Sequence, residues 1–204
     1  MDFEQIKETF RKRKAKRDSL VEQLDVARYR LGELRLDYEA AQQGLVVLQV
    51  VAQQTQQNLE YHISNLVTTA LSSVWGADAP EFKAEINIRR GKTECDLYFV
   101  EGEETFKPID SSGGGTLDIA SFALRISIWS LNKNRPTFLL DEPFKYVSPD
   151  LQHKVSDMLK MLSKKLGIQI IMVSHAEEIN FSADKTFIVE KKDGVSTVRE
   201  EVSN

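Results

Sequence analysis

The chain has 204 residues, of which 41% are hydrophobic, enough for one globular domain with an extended element or for two small domains. Its formal net charge is −4, from 27 basic and 31 acidic residues, so any contact with nucleic-acid phosphates must come from local patches. The single cysteine, Cys95, excludes an internal disulfide, and we expect it to be a partly buried strand residue. Since no signal core or membrane-length apolar run is found, we expect a soluble, cytoplasmic protein with no membrane contact.

A heptad repeat extends from Phe3 to Leu66. Positions at alternating spacings of three and four are mostly apolar, the positions between them are rich in Glu, Gln, Lys and Arg, and no proline precedes Pro80. This pattern predicts a coiled-coil helix over residues 1–70, roughly 100 Å long at 1.5 Å per residue. Because the apolar stripe needs a second stripe to leave water, we expect a homodimer or another coiled-coil partner.

A basic run lies near the start of this helix, from Arg11 to Arg17. Its charge density would suit contact with a DNA backbone, with steep salt dependence. A solvated helix surface whose charges pair with a partner strand is the more ordinary interpretation. Arg13 and Arg17 occupy seam positions, where they weaken the coiled coil.

Residues 71–204 alternate strands with helices, which predicts an α/β lobe. The predicted elements are a two-strand meander (82–88 and 94–100), a helix (117–131), a strand (137–140), a helix (151–166), a strand (168–173), a short helix (176–180) and a hairpin (186–190 and 195–199). A glycine-rich loop, Ser111 to Gly115, precedes the first of these helices. If the sheet is parallel, the strand 137–140 should be buried on both faces.

Two carboxylates, Asp141 and Glu142, follow an apolar strand. The carboxyl edge of a sheet is where ligands tend to bind. Asp141 would hold Mg²⁺, directly or through water, and Glu142 would orient or deprotonate the water that attacks a γ-phosphate. The alternative is a strand that simply ends in solvated acids.

The residues Ser112, Gly113, Gly114 and His175 are the other candidates for a phosphate site. His175 ends a second apolar strand, so adjacent strands would bring it to the same edge, where it could contact the γ-phosphate; alone, it would more often be structural. The Ser112–Gly114 run could form a phosphate-binding nest at a helix N-terminus, although in most proteins such a run is only a flexible turn.

A phosphate-binding loop is missing from the sequence. The motif G-x-x-x-x-G-K-[ST] does not occur, and near Gly91-Lys92-Thr93 the first glycine is replaced by Ile86 in what reads as a hairpin turn. The chain therefore looks like one half of a composite nucleotide site.

From about Ser111 to Val189 the chain resembles the C-terminal ATPase lobe of the SMC-like, coiled-coil DNA-repair ATPases of the ABC superfamily. The family's LSGG signature, followed by Gln or Glu, stands here as Ser111-Ser112-Gly113-Gly114-Gly115. Leu140 to Pro143 matches Walker B with the catalytic glutamate, and Val173 to His175 matches the switch histidine. Tyr146 to Pro149 stands where the family has its D-loop aspartate, and that departure bears on how two active sites would be coupled.

The resemblance implies that ATP and Mg²⁺ are the cofactors. It also implies that Ser112 and Gly114 contact the γ-phosphate of ATP bound mainly to the opposite protomer, with catalytic roles for Glu142 and His175 and a Mg²⁺ role for Asp141. The family's N-terminal lobe, which carries Walker A, would have to come from another lobe or a full ATPase chain. A nuclease subunit and DNA are the further partners it implies, with a nucleoid-associated location.

Two functions follow from these observations. The first is a subunit or half of an SMC-like ATPase in DNA repair or recombination, in which ATP drives head engagement and the signature motif completes the site in trans. The alternative is a non-catalytic interaction or regulatory protein that binds a complete ATPase of this kind. A transporter nucleotide-binding subunit is a third interpretation, disfavoured because such domains lack a long heptad helix.

Overall fold

The computed structural model describes residues 2–111, 113–132 and 134–201. The protein is α/β, as predicted. Its helices and strands, in chain order, are α1 (Phe3–Trp75), β1 (Glu81–Arg89), β2 (Lys92–Glu101), β3 (Glu104–Phe106), α2 (Pro108–Ser111), α3 (Gly114–Asn132), β4 (Thr137–Asp141), α4 (Pro149–Leu166), β5 (Gln169–Val173), β6 (Thr186–Lys192) and β7 (Val195–Glu201). Among the described residues, no helix is both long and apolar enough to span a membrane.

Helix α1 has 73 residues and contributes to two compact units, which divide between Thr55 and Gln56. Every described residue of the first unit is exposed, including Phe3 at 74% and Phe10 at 68%. The helix ends before Gly76, which has the left-handed φ of +68° that favours glycine at a helix C-terminus. The predicted division into a coiled-coil domain of residues 1–70 and a lobe of residues 71–204 stays a prediction.

In the second unit, the last turns of α1 contribute one face to the hydrophobic core. The buried positions follow the spacing of a helix face, and they are Ile63, Val67, Ala70, Leu71 and Val74. They belong to the same core as the buried faces of β1, β2, α3 and α4. The end of the long helix is therefore part of the lobe's own hydrophobic core.

Four polar side chains of α1, which we call the edge ladder, line the outer edge of β1 at every fourth residue: Gln56, Glu60, Ser64 and Thr68. The carboxylate of Glu60 accepts the Ile86 N–H at 2.7 Å and the hydroxyl of Ser64 accepts the Ala84 N–H at 2.9 Å. Gln56 donates to the Ile86 carbonyl at 2.6 Å, and Thr68 both accepts from Phe82 N–H and donates to its carbonyl. These side chains satisfy backbone groups that another strand would otherwise pair.

The meander has three strands, because the short strand β3 pairs with β2 beyond the two strands that were predicted. Cys95 lies on β2 as expected but is exposed, so the prediction of partial burial was wrong. The terminal hairpin β6–β7 is confirmed, with Asp193 and Gly194 at its turn and positive φ at both.

Strands β4 and β5 form a parallel pair in which Leu139 lies opposite Ile171 and Asp141 opposite Val173. The face that carries Phe138 and Leu140 packs on the core, where Phe122 and Trp129 of α3 contact the Phe138 ring edge to face. The other face, which we call the open face, leaves Leu139 76% exposed. The prediction that this strand is buried on both sides was therefore wrong, because the helices among the described residues cover only one face.

Candidate functional site

The parallel pairing of β4 and β5 brings the predicted carboxylates and the predicted histidine to one edge of the sheet. Asp141 is the last residue of β4 and is exposed; its partner in the register, Val173, is the last residue of β5. The backbone N–H of Glu142 donates to the Val173 carbonyl at 2.9 Å, which extends the pairing by one residue. The expectation that adjacent strands bring Asp141, Glu142 and His175 to a common edge is confirmed.

Glu142 and His175 are in direct contact. The Nε2 atom of His175 lies 3.3 Å from Oε1 of Glu142, with the histidine side chain 95% exposed and the glutamate 37% exposed. The pair is thus reachable from solvent. An imidazole at this distance can orient the carboxylate or share a proton with it.

The backbone after β4 adopts a conformation that most residues avoid. Glu142 has φ of +45° and Phe144 has φ of +61°, on either side of Pro143. Such values cost on the order of 1–3 kcal/mol each and persist only where the surroundings enforce them. Here the enforcing contact is Phe144, which is 2% exposed and packs edge to face on Phe122 with ring centroids 5.3 Å apart.

The glycine loop lies at the N-terminus of α3. Gly114 is the first residue of this 19-residue helix, three residues earlier than predicted, and both Gly113 and Gly114 are exposed. Ser112 lies outside the described residues. A helix N-terminus offers unpaired backbone N–H groups and a favourable dipole to an anion, so the two glycines stand where a phosphate nest was expected.

The segment after the carboxylates lies directly on the glycine loop. A Cβ atom placed on Gly114 would be 2.8 Å from Cβ of Tyr146, and one placed on Gly115 would be 3.1 Å from the Tyr146 carbonyl oxygen. The carboxylate of Asp118 accepts the Tyr146 N–H at 3.2 Å. From the sequence, Tyr146 is only part of a departure from a family motif. The consecutive glycines Gly113 to Gly115 are the signal in the sequence that could have predicted a close approach.

The candidate residues do not all touch. Within the described ranges, no hydrogen bond or ion pair joins Gly113 or Gly114 to Asp141, Glu142 or His175. The segment 142–148 links the two groups, because it begins at Glu142 and contains Tyr146, which lies against Gly114. The same part of the chain contains no group of three or more His, Cys, Asp or Glu side chains placed to hold a metal. Asp141 offers one exposed carboxylate, which suits Mg²⁺, an ion that commonly takes one or two carboxylates together with nucleotide phosphates and water.

Comparison with known proteins gives a family match over most of the chain. The family model described as "AAA domain, putative AbiEii toxin, Type IV TA system" matches residues 21–179. That range includes the glycine loop, both carboxylates and His175, together with about three quarters of α1.

Curated relatives from several organisms carry the name "DNA double-strand break repair Rad50 ATPase". The one from Archaeoglobus fulgidus is 34% identical over 113 residues, which cover 54% of this chain and 12% of the relative. The one from Saccharolobus solfataricus is 27% identical over 182 residues, covering 89% of this chain and 19% of the relative. The chain therefore spans less than a fifth of the length of these relatives.

Solved structures of SMC heads share the fold. The crystal structure of "the SmcHead bound to the C-winged helix domain of ScpA" superposes with a TM-score of 0.56 at 20% identity, over 70% of this chain and 43% of that chain. At this identity the likeness concerns the fold alone.

Proposed function

Because this chain belongs to the AAA-domain family described above and has the fold of SMC-like ABC ATPase heads, we propose that it is one half of a composite ATPase. The chain supplies the glycine loop, the Walker B carboxylates and the switch histidine. A lobe that carries Walker A supplies the phosphate-binding loop. The process served is DNA repair or recombination, in which ATP drives two heads together and hydrolysis releases them.

The observation that carries this proposal is the open face beside the carboxylates. Leu139 is 76% exposed, Val173 60% and Ile171 48%, on a parallel sheet whose last residues are Asp141 and Val173. Parallel sheets are almost always covered on both faces. We infer that the covering element is the Walker A lobe, since it would bring its phosphate loop to the edge where Glu142 and His175 meet.

Within such a site, each side chain has a task that its position allows. Asp141, exposed at the strand end, would hold Mg²⁺, whose charge neutralises the phosphates. Glu142 orients the attacking water or accepts its proton, and His175, 3.3 Å away, steadies that carboxylate and can donate toward the γ-phosphate. The backbone N–H groups at Gly113 and Gly114, with the Ser112 hydroxyl, bind the γ-phosphate of the opposite protomer's ATP.

The experiment that tests this proposal reconstitutes the chain with a Walker A lobe and compares single variants. Glu142→Gln removes the base but keeps its shape, so ATP should still bind while turnover falls at least ~100-fold. Ser112→Arg should instead prevent head engagement, because the cation would fill the nest. Glu178→Gln, a nearby exposed carboxylate outside the proposed site, serves as the matched control.

The alternative function makes the opposite prediction for the same variants. In a non-catalytic protein that binds and regulates a complete ATPase, Glu142→Gln and Ser112→Arg would leave hydrolysis like that of the parent. The missing phosphate loop, the segment Tyr146 to Pro149 where the family has its D-loop aspartate, and Gly115 in place of its Gln or Glu favour that alternative. Retention of both Glu142 and His175 in contact favours catalysis, since a scaffold has no evident need for the pair.

The proposed role of the open face has its own test. Leu139→Lys or Ile171→Lys should abolish association with the Walker A lobe, because a charge would be buried in the new interface without a partner. Ile88→Lys is the matched control, since Ile88 is 75% exposed on β1, in a different sheet. Equal binding by all three variants in a pull-down would contradict this placement of the lobe.

The proposed link to DNA concerns the basic run Arg11 to Arg17, which is exposed throughout. If it contacts DNA phosphates, affinity for duplex DNA should fall steeply with salt, with a slope of about −0.9 per neutralised phosphate. Replacing Lys12, Lys14 and Lys16 by Gln should flatten that slope. A slope unchanged by these substitutions favours the ordinary solvated helix surface instead.

A further inference from the structure

Two consecutive glycines allow the segment after the carboxylates to lie against the first turn of α3. A Cβ on Gly114 would come within 2.8 Å of Cβ and 3.1 Å of Cγ of Tyr146. A Cβ on Gly115 would come within 3.2 Å of Cα of Val147. Real Cβ atoms do not approach other carbons to 2.8 Å, so at Gly114 any other residue would force the tyrosine or the helix to shift.

Residues on both sides of Tyr146 anchor this segment to the rest of the protein. Phe144 and Val147 are buried, at 2% and 3% exposure, and the Val147 N–H donates to the Phe144 carbonyl at 3.0 Å. One helical turn beyond Gly114, the carboxylate of Asp118 accepts the Tyr146 N–H at 3.2 Å. The backbone of Tyr146 is thus held in place, and its side chain lies against the first turn of α3.

The tyrosine ring contributes little burial. Tyr146 is 63% exposed, and Nζ of Lys145 lies 4.8 Å from the centroid of its ring. Since stabilisation by an aromatic side chain scales with the apolar area removed from water, this ring adds little to the stability of the fold. Its contact with Gly114 is better explained as a way to set the position of the glycine loop than as a contribution to the free energy of folding.

We propose that Tyr146 is a positioning residue, which fixes the glycine loop relative to Asp141 and Glu142 through its contact with Gly114. This inference rests on the proposed function, in which Gly113 and Gly114 bind a γ-phosphate. The loop then needs a definite position, because a misplacement of about 1 Å can cost on the order of 100-fold in rate. Tyr146 provides it from four residues beyond Glu142, on the chain segment that leaves the catalytic edge.

A double-mutant cycle in the reconstituted ATPase tests the contact. Gly114→Ala should lower kcat by about 100-fold with little change in KM for ATP, because the Walker A lobe holds most of the nucleotide. Tyr146→Gly removes the Cβ that the new methyl would meet. In that background Gly114→Ala should cost at most about threefold, so the two changes are strongly non-additive.

Matched variants separate this contact from a general need for glycine. A Cβ on Gly113 meets nothing within 4 Å, so Gly113→Ala should have the same effect with or without Tyr146→Gly. Asp118→Ala should reproduce part of the loss in kcat. Asp118→Asn should keep kcat close to that of the parent, since the amide oxygen of asparagine can still accept the Tyr146 N–H.

A second measurement on the isolated chain keeps this inference separable from the proposed function. Hydrogen exchange at Leu117, whose N–H donates to Gly113, should accelerate in Gly114→Ala and return to the parent rate in the double variant. If the exchange rates at Leu117 follow this pattern but no Walker A lobe yields hydrolysis, the proposed function is wrong, whereas the contact between Tyr146 and Gly114 is supported. If hydrolysis depends on Glu142 while the Gly114 and Tyr146 changes are additive, the positioning role is overturned.

Discussion

At the scale of single residues, the conformation after β4 depends on one aromatic side chain. Glu142 and Phe144 both have positive φ, and Phe144 is the buried residue that holds the turn. Burying a phenylalanine side chain stabilises by about 1.5–3 kcal/mol, which is comparable with the strain at one such residue. The orientation of the Glu142 carboxylate therefore depends on packing two residues away.

The first prediction concerns Phe144→Ala, which should lower the free energy of unfolding by about 3–5 kcal/mol because it removes a buried ring and leaves a cavity beside Phe122. Urea denaturation of the isolated chain measures it. Phe181→Ala is the control, since Phe181 is 82% exposed and should change stability by no more than ~0.5 kcal/mol. Similar losses for both variants would contradict this account of the turn.

The second prediction concerns Asp96 on β2. Its pKa is lowered from the ordinary value, first by a hydrogen bond from Asn87 at 3.2 Å and then by the Arg89 guanidinium. Because the pKa of Asp96 is lowered in the folded state, its ionised carboxylate stabilises the fold fully above the unfolded pKa of about 3.9. This stabilisation is lost as pH falls through the folded pKa. Asp96→Asn should therefore lower Tm slightly at pH 7, and the gap should close near pH 2. An equal gap at both pH values would argue against it.

At the scale of elements, the edge ladder adds side-chain hydrogen bonds to the apolar packing between α1 and β1. The third prediction is that Thr68→Val, which deprives Phe82 of both of its ladder hydrogen bonds, lowers the free energy of unfolding by about 1–3 kcal/mol. Thr55→Val is the matched control, because that hydroxyl bonds only the Val51 carbonyl within the helix. Denaturant midpoints that move equally for both would show that the ladder adds nothing.

The exposed seam of α1 gives the fourth prediction. A continuous apolar stripe is rarely left in water, so the chain should self-associate, or pair with a partner coil, through its heptad positions. Leu31→Lys, at a seam position, should reduce the mass measured by light scattering at high micromolar concentration. Leu36→Lys lies outside the seam, where the side chain is 68% exposed against 51% for Leu31, so it should not. A strict monomer for the parent chain, with no partner added, would count against the prediction.

At the scale of the whole molecule, the site lacks the element that supplies most nucleotide affinity. The fifth prediction is that the isolated chain binds ATP with a Kd no better than about 1 mM. Its two carboxylates repel the polyphosphate, and the sequence has no phosphate loop with a lysine to offset that repulsion. Adding a Walker A lobe should produce micromolar binding and slow hydrolysis. Calorimetry decides: a micromolar site in the chain alone would reveal a phosphate-binding element elsewhere in it.

The sequence by itself determined the features that depend on neighbours along the chain. The period of the heptads predicted α1, the alternation of strands and helices predicted the α/β class, and Asp141, Glu142 and His175 were recognisable because each follows an apolar strand. Periodicity and strand ends are local properties, so a single sequence contains them. The start of helix α3 was predicted three residues too late because its opening glycines resemble a turn.

Only the tertiary structure decided which surfaces meet. The edge ladder joins Gln56 and Thr68 to a strand that begins at Glu81, and the Tyr146 contact with Gly114 joins residues from two separate elements. Likewise, the pattern of β4 reads as a strand buried on both faces, whereas Leu139 is exposed because the helices among the described residues cover one face only. Such contacts depend on how distant segments pack together, and an apolar pattern records that a face is to be covered without recording what covers it.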